Sequence, residues 1–179
     1  MSLSDDGNAL SESVQSLPSN WYYDDKFYKK ELSSIWSKNW IYACHSNSLD
    51  GPRAYQTIKI GTQSIIVLRD RNGDLRAYYN TCRHRGSALC EEKTGKLKTP
   101  VFLCPYHQWS YSLEDGRLIK TSSFENPDNF IKEDYGLFKV KLQEWRGCIF
   151  INLDEESEWD IDNLFQRSAN ELKRFPIED

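Results

Sequence analysis

The chain has 179 residues, of which 39% are hydrophobic and 13% aromatic, with 6 Trp, 10 Tyr and 8 Phe. That is one domain's worth of material, enough to bury a core without disulfide staples. Its 23 Lys and Arg against 27 Asp and Glu leave a net charge of −4, which gives no reason to expect nucleic acid. Apolar runs such as Cys148-Ile149-Phe150-Ile151 are far too short to span a bilayer.

Residues 1–19 are rich in Ser, Asp and Asn and show no apolar period, which predicts a flexible tail. They lack the apolar stretch of a secretory signal. The cysteines, Cys44, Cys82, Cys90, Cys104 and Cys148, are odd in number. Together these features argue against a disulfide framework and for a reducing cytoplasm, where unpaired thiols are buried or bound to metal.

Residues 24–38 predict a helix, with Tyr28, Leu32, Ile35 and Trp36 on one face and Asp24 and Asp25 at its start. From about 40 to 154 the pattern turns to β. Arg53–Ile60 and Gln63–Asp70 read as strands joined at a glycine turn, and Asn72-Gly73 is a strong hairpin signal before Leu75–Tyr79. Val101–Cys104 and Trp109–Leu113 read as short strands, followed by the turn Glu114-Asp115-Gly116-Arg117. Leu137–Trp145 and Cys148–Leu153 form a last hairpin around Arg146-Gly147. Short strands with frequent turns predict a mainly β, antiparallel sandwich or barrel. Residues 154–162 carry six acidic side chains and predict a solvated surface turn, and Asp162–Arg174 predicts a closing helix.

Two motifs carry chemistry: Cys82-Arg83-His84-Arg85-Gly86 and Cys104-Pro105-Tyr106-His107-Gln108-Trp109. Each supplies one thiolate and one imidazole at the end of a strand, and 19 residues separate His84 from Cys104. Two loops can therefore pinch one inorganic centre. A [2Fe–2S] cluster needs two protein ligands on each iron beside the bridging sulfides, and a Cys pair on one iron with a His pair on the other supplies them. Charge favours this arrangement. Two ferric ions, two sulfides, two thiolates and two neutral imidazoles sum to zero, so an added electron leaves one net negative charge. The potential should then lie within roughly −150 to +300 mV, well above that of four-Cys ferredoxins.

The alternative for the same residues is structural zinc. Zinc accepts two Cys and two His, but usually with like ligands close together. Chance spacing of core residues is a third possibility, weakened because two of only three histidines fall in these motifs. Of the rest, His45 reads as structural at a strand end, and Cys90 and Cys148 as inert thiols.

The two motifs, CRHRG and CPYHQW, resemble the Rieske domain of ring-hydroxylating and related Rieske non-haem iron oxygenases. So do the segment around Leu32–His45 and EWRGCIFINLD at 144–154, so the resemblance covers roughly residues 20–179. With Gln108 where many members have Gly, the second motif is similar to the branch acting on glycine betaine, choline or carnitine. The resemblance implies a Rieske-type β-sandwich over 20–155 with an N-terminal helix, and a C-terminal helical segment over 156–179. It implies Cys82, His84, Cys104 and His107 as ligands of the [2Fe–2S] cluster, with Arg85, Tyr106 and Trp109 around them. Tyr106 and Trp109 would pack about the cluster and keep water from the sulfurs. Arg83 or Arg85 would offset the reduced cluster's charge or meet a partner, unless it is merely solvated or salt-bridged.

Respiratory-chain Rieske proteins add a disulfide between the loops, where this chain has Ser87 and Tyr106. They also donate a Ser hydroxyl to a cluster sulfur where this chain has Trp109. A lost hydrogen bond to sulfur places the expected potential low in the Rieske range, below about +200 mV.

Full oxygenases of this kind also hold a mononuclear iron on two His and a carboxylate. Only His45 remains here once His84 and His107 are assigned, so the resemblance implies the N-terminal part of an oxygenase α subunit. Its partners would be a flavin reductase or ferredoxin as donor and an oxygenase catalytic domain as acceptor, in a head-to-tail trimer. A free-standing Rieske ferredoxin and a zinc-stabilised interaction module are the competing readings.

Overall fold

The computed structural model describes residues 16–122, 128–166 and 168–178. Most of the tail expected at 1–19 therefore lies outside the described residues. The chain enters through a short turn at Ser19–Tyr22 and helix α1, Asp25–Glu31. Asp24 caps α1 by accepting a hydrogen bond from the Lys26 N–H at 2.9 Å. The helix then widens into a π turn over Leu32–Trp36. That extra width breaks the 3.6-residue register, so the four residues expected on one face do not share a buried stripe. Leu32 packs on the turn at Gly61, whereas Tyr28, Ile35 and Trp36 stay about half exposed.

Ten strands follow among the described residues, in three antiparallel sheets. The first sheet holds β1 (Ile41–His45), β10 (Cys148–Asn152) and β9 (Lys141–Trp145), in that order. The second runs β4 (Leu75–Tyr79), β3 (Gln63–Arg69), β2 (Ala54–Ile60) and β5 (Thr94–Lys96). The third holds β6 (Val101–Leu103), β7 (Ser110–Ser112) and β8 (Leu118–Lys120). The expected strands recur with ends trimmed by a few residues. The short β5 and β8 carried too few apolar residues to be read in the sequence.

The middle sheet stands between two core clusters, one on each of its faces. Along β3, Ile65, Ile66, Val67 and Leu68 are all fully buried. Side chains alternate along a strand, so a run apolar at every position must be covered on both faces. Ile65 and Val67 join Ala43, Ile149 and Ile151 of the first sheet. Ile66 and Leu68 join Phe102, Tyr111 and Leu118 of the third, together with Cys82, Cys104 and Trp109. The motif cysteines are thus part of the core on one side of the middle sheet.

The closing helix expected over 162–174 is instead two short ones, α2 (Ile161–Phe165) and α3 (Ala169–Leu172). Anchors at separate points replace a continuous stripe. Ile161 is buried, and Phe165 stacks on Trp145 at 4.4 Å. Further on, Arg146 donates to the carbonyls of Leu172 at 2.6 Å and Phe175 at 2.8 Å and pairs with Glu178. The acidic stretch is a surface turn, as expected, but a pinned one. Lys38 pairs with Asp154 at 3.1 Å, and the Trp40 indole N–H donates to the Trp159 carbonyl at 2.8 Å.

His45 is structural. Its Nδ1 accepts from the Asn47 N–H at 3.3 Å, so Nε2 carries the proton and donates to the Ile177 carbonyl at 2.9 Å. The turn beside it requires glycine: Gly147 has φ +79°, and a Cβ there would lie 2.4 Å from His45 Nε2. Gly147→Ala should therefore cost about 1–3 kcal/mol, by backbone strain plus displacement of the imidazole. Denaturant titration with an unchanged m-value checks this, and loss of amide protection at 172–178 should accompany it.

Candidate metal centre

Two loops close the open side of the third sheet, and both are tied off by the same pair of backbone hydrogen bonds. In the first, the Cys82 N–H donates to the Ser87 carbonyl at 2.8 Å and the Gly86 N–H to the Cys82 carbonyl at 3.0 Å. In the second, the Cys104 N–H donates to the Trp109 carbonyl at 2.8 Å and the Gln108 N–H to the Cys104 carbonyl at 2.9 Å. Each closure reverses the chain within five residues, which turns the Cys inward and leaves the His on the loop tip. The fifth residue of each loop takes the left-handed conformation, with φ 76° at Gly86 and 61° at Gln108. Glycine adopts it freely, whereas glutamine is strained there by roughly 1 kcal/mol.

The closures bring the four motif side chains together. Cys82 and Cys104 are both buried in the same core cluster, near enough for each thiol to bear on the other's charge. The rings of His84 and His107 meet edge to face, 4.7 Å between centroids. Both Nδ1 atoms are buried with no hydrogen-bond partner among the described residues, while the rings themselves are half-buried. Buried ring nitrogens are rarely left orphaned in folded proteins, and a buried, unpartnered neutral imidazole nitrogen is a ready metal-ligand donor. Burial pushes the Cys82 thiol up, and burial together with the neighbouring His107 and Arg85 pushes the His84 imidazole down. An imidazole kept neutral in this way is in the form that ligates.

The donor set fits a two-iron cluster better than a single ion. Cys82 and Cys104 are buried in one core cluster and the His84 and His107 rings lie 4.7 Å apart, which groups the donors as a thiol pair and an imidazole pair. A zinc site needs four donors around one point, whereas a binuclear cluster asks only two donors of each iron.

The surroundings differ in part from expectation. Trp109 is buried at 5% exposure and stacks on the His84 ring at 4.6 Å with planes 9° apart. Tyr106 leans on His107 at 3.8 Å but is 61% exposed, too open to act as a lid. Arg85 is exposed beside His84. Arg83 is structural: its guanidinium lies 3.8 Å over the Phe138 ring and donates to the Gly136 carbonyl at 3.1 Å. Cys90 is a buried thiol pushed up to about 12 by burial, an inert form.

Tyr111 escaped the sequence reading. Its hydroxyl lies 3.1 Å from Cys82 Sγ and accepts from the Arg83 N–H at 3.1 Å. Burial and the adjacent Cys82 hold this phenol far above the usual range, so it keeps its proton and donates to a Cys82 thiolate. The only signal in the sequence was its position, two residues beyond Trp109. The missing Ser hydroxyl is therefore not the whole account of the sulfur hydrogen bonds.

A small β fold with paired loops, each offering one thiolate and one imidazole, defines an iron–sulfur electron-transfer protein. The chain belongs to the Rieske [2Fe-2S] domain family, which matches residues 39–140, and its cofactor is a [2Fe–2S] cluster. It is 36% identical over 160 residues to the carnitine monooxygenase oxygenase subunit of Escherichia coli (strain K12), covering 89% of this chain and 42% of that protein. Choline monooxygenase, chloroplastic, of Beta vulgaris is 36% identical over 159 residues, covering 87% and 35%. The apo form of the quaternary ammonium Rieske monooxygenase CntA superposes with a TM-score of 0.83 at 31% identity, over 91% of this chain and 47% of that one. A quaternary ammonium Rieske monooxygenase structure that reveals insights into carnitine oxidation by gut microbiota and inter-subunit electron transfer superposes with a TM-score of 0.78 at 30% identity, over 90% of this chain and 47% of that one. This chain therefore spans less than half the length of these relatives.

Tyr111→Phe should leave the cluster in place and lower its midpoint potential. A sulfur hydrogen bond strengthens on reduction, and a difference of about 1 kcal/mol is about 40 mV for one electron. Protein-film voltammetry measures it. Gln108→Gly should raise the unfolding free energy by roughly 1 kcal/mol by removing the left-handed strain, read by denaturant titration.

Proposed function

We propose that this chain is the electron-relay domain of an oxygenase subunit. It takes single electrons from a flavin reductase or ferredoxin and passes them to a mononuclear iron held in the part of its relatives' length that it does not match. Cys82, His84, Cys104 and His107 hold the cluster, the cysteines through Sγ and the histidines through the orphaned Nδ1 atoms. The relay domain proper runs over 20–155, with 156–178 as a segment leading away from it.

The observation that carries this reading is the pair of imidazoles, only half-buried as residues, whose Nδ1 atoms are nonetheless buried and without a partner among the described residues. A purely structural metal site has no need of half-open rings. When bound, the cluster supplies a one-electron couple with little net charge in either state. The chain's residues supply the rest. The twin loop closures hold the thiolates and imidazoles in place before the metal arrives. Tyr111 donates to Cys82 and steadies the added negative charge. Trp109 fixes the plane of His84. The burial of Cys82 and Cys104 keeps water from their sulfurs.

The acceptor iron belongs to a neighbouring subunit in a head-to-tail trimer, so the electron leaves through the His84 and His107 edges. The substrate is a quaternary amine, as in the relatives named above. No helix among the described residues is long and apolar enough to cross a membrane. The relatives named above are oxygenase components, which favours a relay domain over a free-standing ferredoxin.

Anaerobic reconstitution should yield two irons and two acid-labile sulfides per chain, coloured when oxidised and giving an EPR signal below the free-electron g on average when reduced by dithionite. His84→Ala and Cys104→Ser should each abolish the signal. A colourless protein binding one zinc would overturn the reading.

A further inference from the structure

One group of residues is not explained by holding the cluster. Trp109, already stacked on His84, meets two further rings edge-on, Tyr135 at 5.7 Å and Phe130 at 5.9 Å. Those two stack on each other at 4.5 Å with planes 26° apart. The result is a column of four rings in contact that starts at a proposed ligand and ends at the half-buried pair Phe130 and Tyr135. Separations of this size are the contact range of aromatic pairs. The column is also braced. Arg83, which lies between Cys82 and His84 in sequence, donates to the carbonyls of Asp134 at 3.4 Å and Gly136 at 3.1 Å. The turn that carries Tyr135 is thereby tied to the first cluster loop.

Phe130 and Tyr135 pack against the same core cluster as Trp109, but the chain beside them is open. Ile131, next to Phe130, is 57% exposed. Asp128, Glu133 and Asp134 are exposed around it, with Lys132 spanning to the Ile119 carbonyl at 3.0 Å. This is an apolar spot with an acidic rim. On the other side of β8, Leu103 and Tyr106 line a hollow with the other imidazole, His107.

We propose that this face receives the electron donor and that the Trp109 column carries the incoming electron to the cluster, leaving the half-buried imidazoles to the acceptor. The proposal rests on the relay function above. The fitting partner is a one-electron redox protein whose contact surface has an apolar centre and a basic rim. Charge of opposite sign steers such encounters and sets their salt dependence. The donor's reduced flavin or iron–sulfur centre is oxidised by one electron and the di-iron centre would be reduced by one; no covalent bond is exchanged between the partners, and a proton lost by a flavin donor goes to solvent. The physical ground is coupling, which decays more slowly through rings in contact than across a gap. Trp109, Phe130 and Tyr135 are in this sense positioning residues.

The full cluster-loaded chain tests it in a Cys148→Ser background. A ruthenium tris(bipyridine) label is placed on Lys132→Cys, or as a control on Arg85→Cys beside His84. The label is photoreduced with a sacrificial amine, and the intramolecular rate to the oxidised cluster is read by transient absorption. Tyr135→Leu combined with Phe130→Leu should slow transfer from position 132 by about an order of magnitude. The same pair should leave the rate from position 85, the visible spectrum and the midpoint potential unchanged. Trp109→Phe, which keeps a ring in the column, should restrain the loss. Rates from 132 that stay within a factor of two, or equal losses from both labels, would overturn the column. Failure to load iron and sulfide at all would instead count against the relay reading, so the two failures are distinguishable.

Discussion

The structure depends on one repeated constraint: a backbone closure in which a cysteine N–H and carbonyl are both consumed by residues four and five positions further on. It occurs at Cys82 and again at Cys104. A chain reversed this tightly cannot send the cysteine and the nearby histidine the same way. The thiol goes into the core beside Phe102 and Leu113, and the imidazole is left on the tip. The asymmetry that gives a mixed-ligand cluster its near-neutral charge is thus a by-product of loop geometry. The same closure fixes the two left-handed residues, and at Gln108 the chain accepts strain to complete it.

What holds those loops in register is the middle sheet. Because β3 is apolar at four consecutive positions, it must be covered on both faces, and the cluster side is one of the covers. Tyr78 shows the coupling. It is buried, donates to the Leu113 carbonyl at 3.0 Å, and meets Phe102 edge-on at 5.8 Å, linking the middle sheet to the third. Loosening that contact would loosen β6 and β7, whose ends are the second loop. Holding the cluster and packing the core are therefore one task for this chain, and burial of the sulfurs follows from it.

In the proposed relay the imidazole pair and the aromatic column meet different partners. His84 and His107 lie half-buried on the loop tips, whereas Trp109 leads sideways to Phe130 and Tyr135. An electron relay must meet a donor and an acceptor, and two separate approaches let it do so without exchanging one partner for the other. Arg83 ties the two regions together, which explains a charged residue between two ligands better than charge compensation does.

The sequence by itself singled out the candidate ligands and determined the architecture. Four metal-binding side chains in two mixed pairs have few other uses in a chain with only three histidines, and alternating apolar residues between turn signals leave little choice but antiparallel strands. Tertiary structure decided the rest, because it depends on which surfaces meet. Tyr111 reaches Cys82 only because β7 pairs with β6, a contact between residues 29 positions apart. Trp109 faces His84 and Tyr106 faces water, although they are three residues apart on the same loop. The closing helix breaks in two because Trp145 and Arg146 seize it at separate points, and no local propensity encodes a grip supplied from another strand.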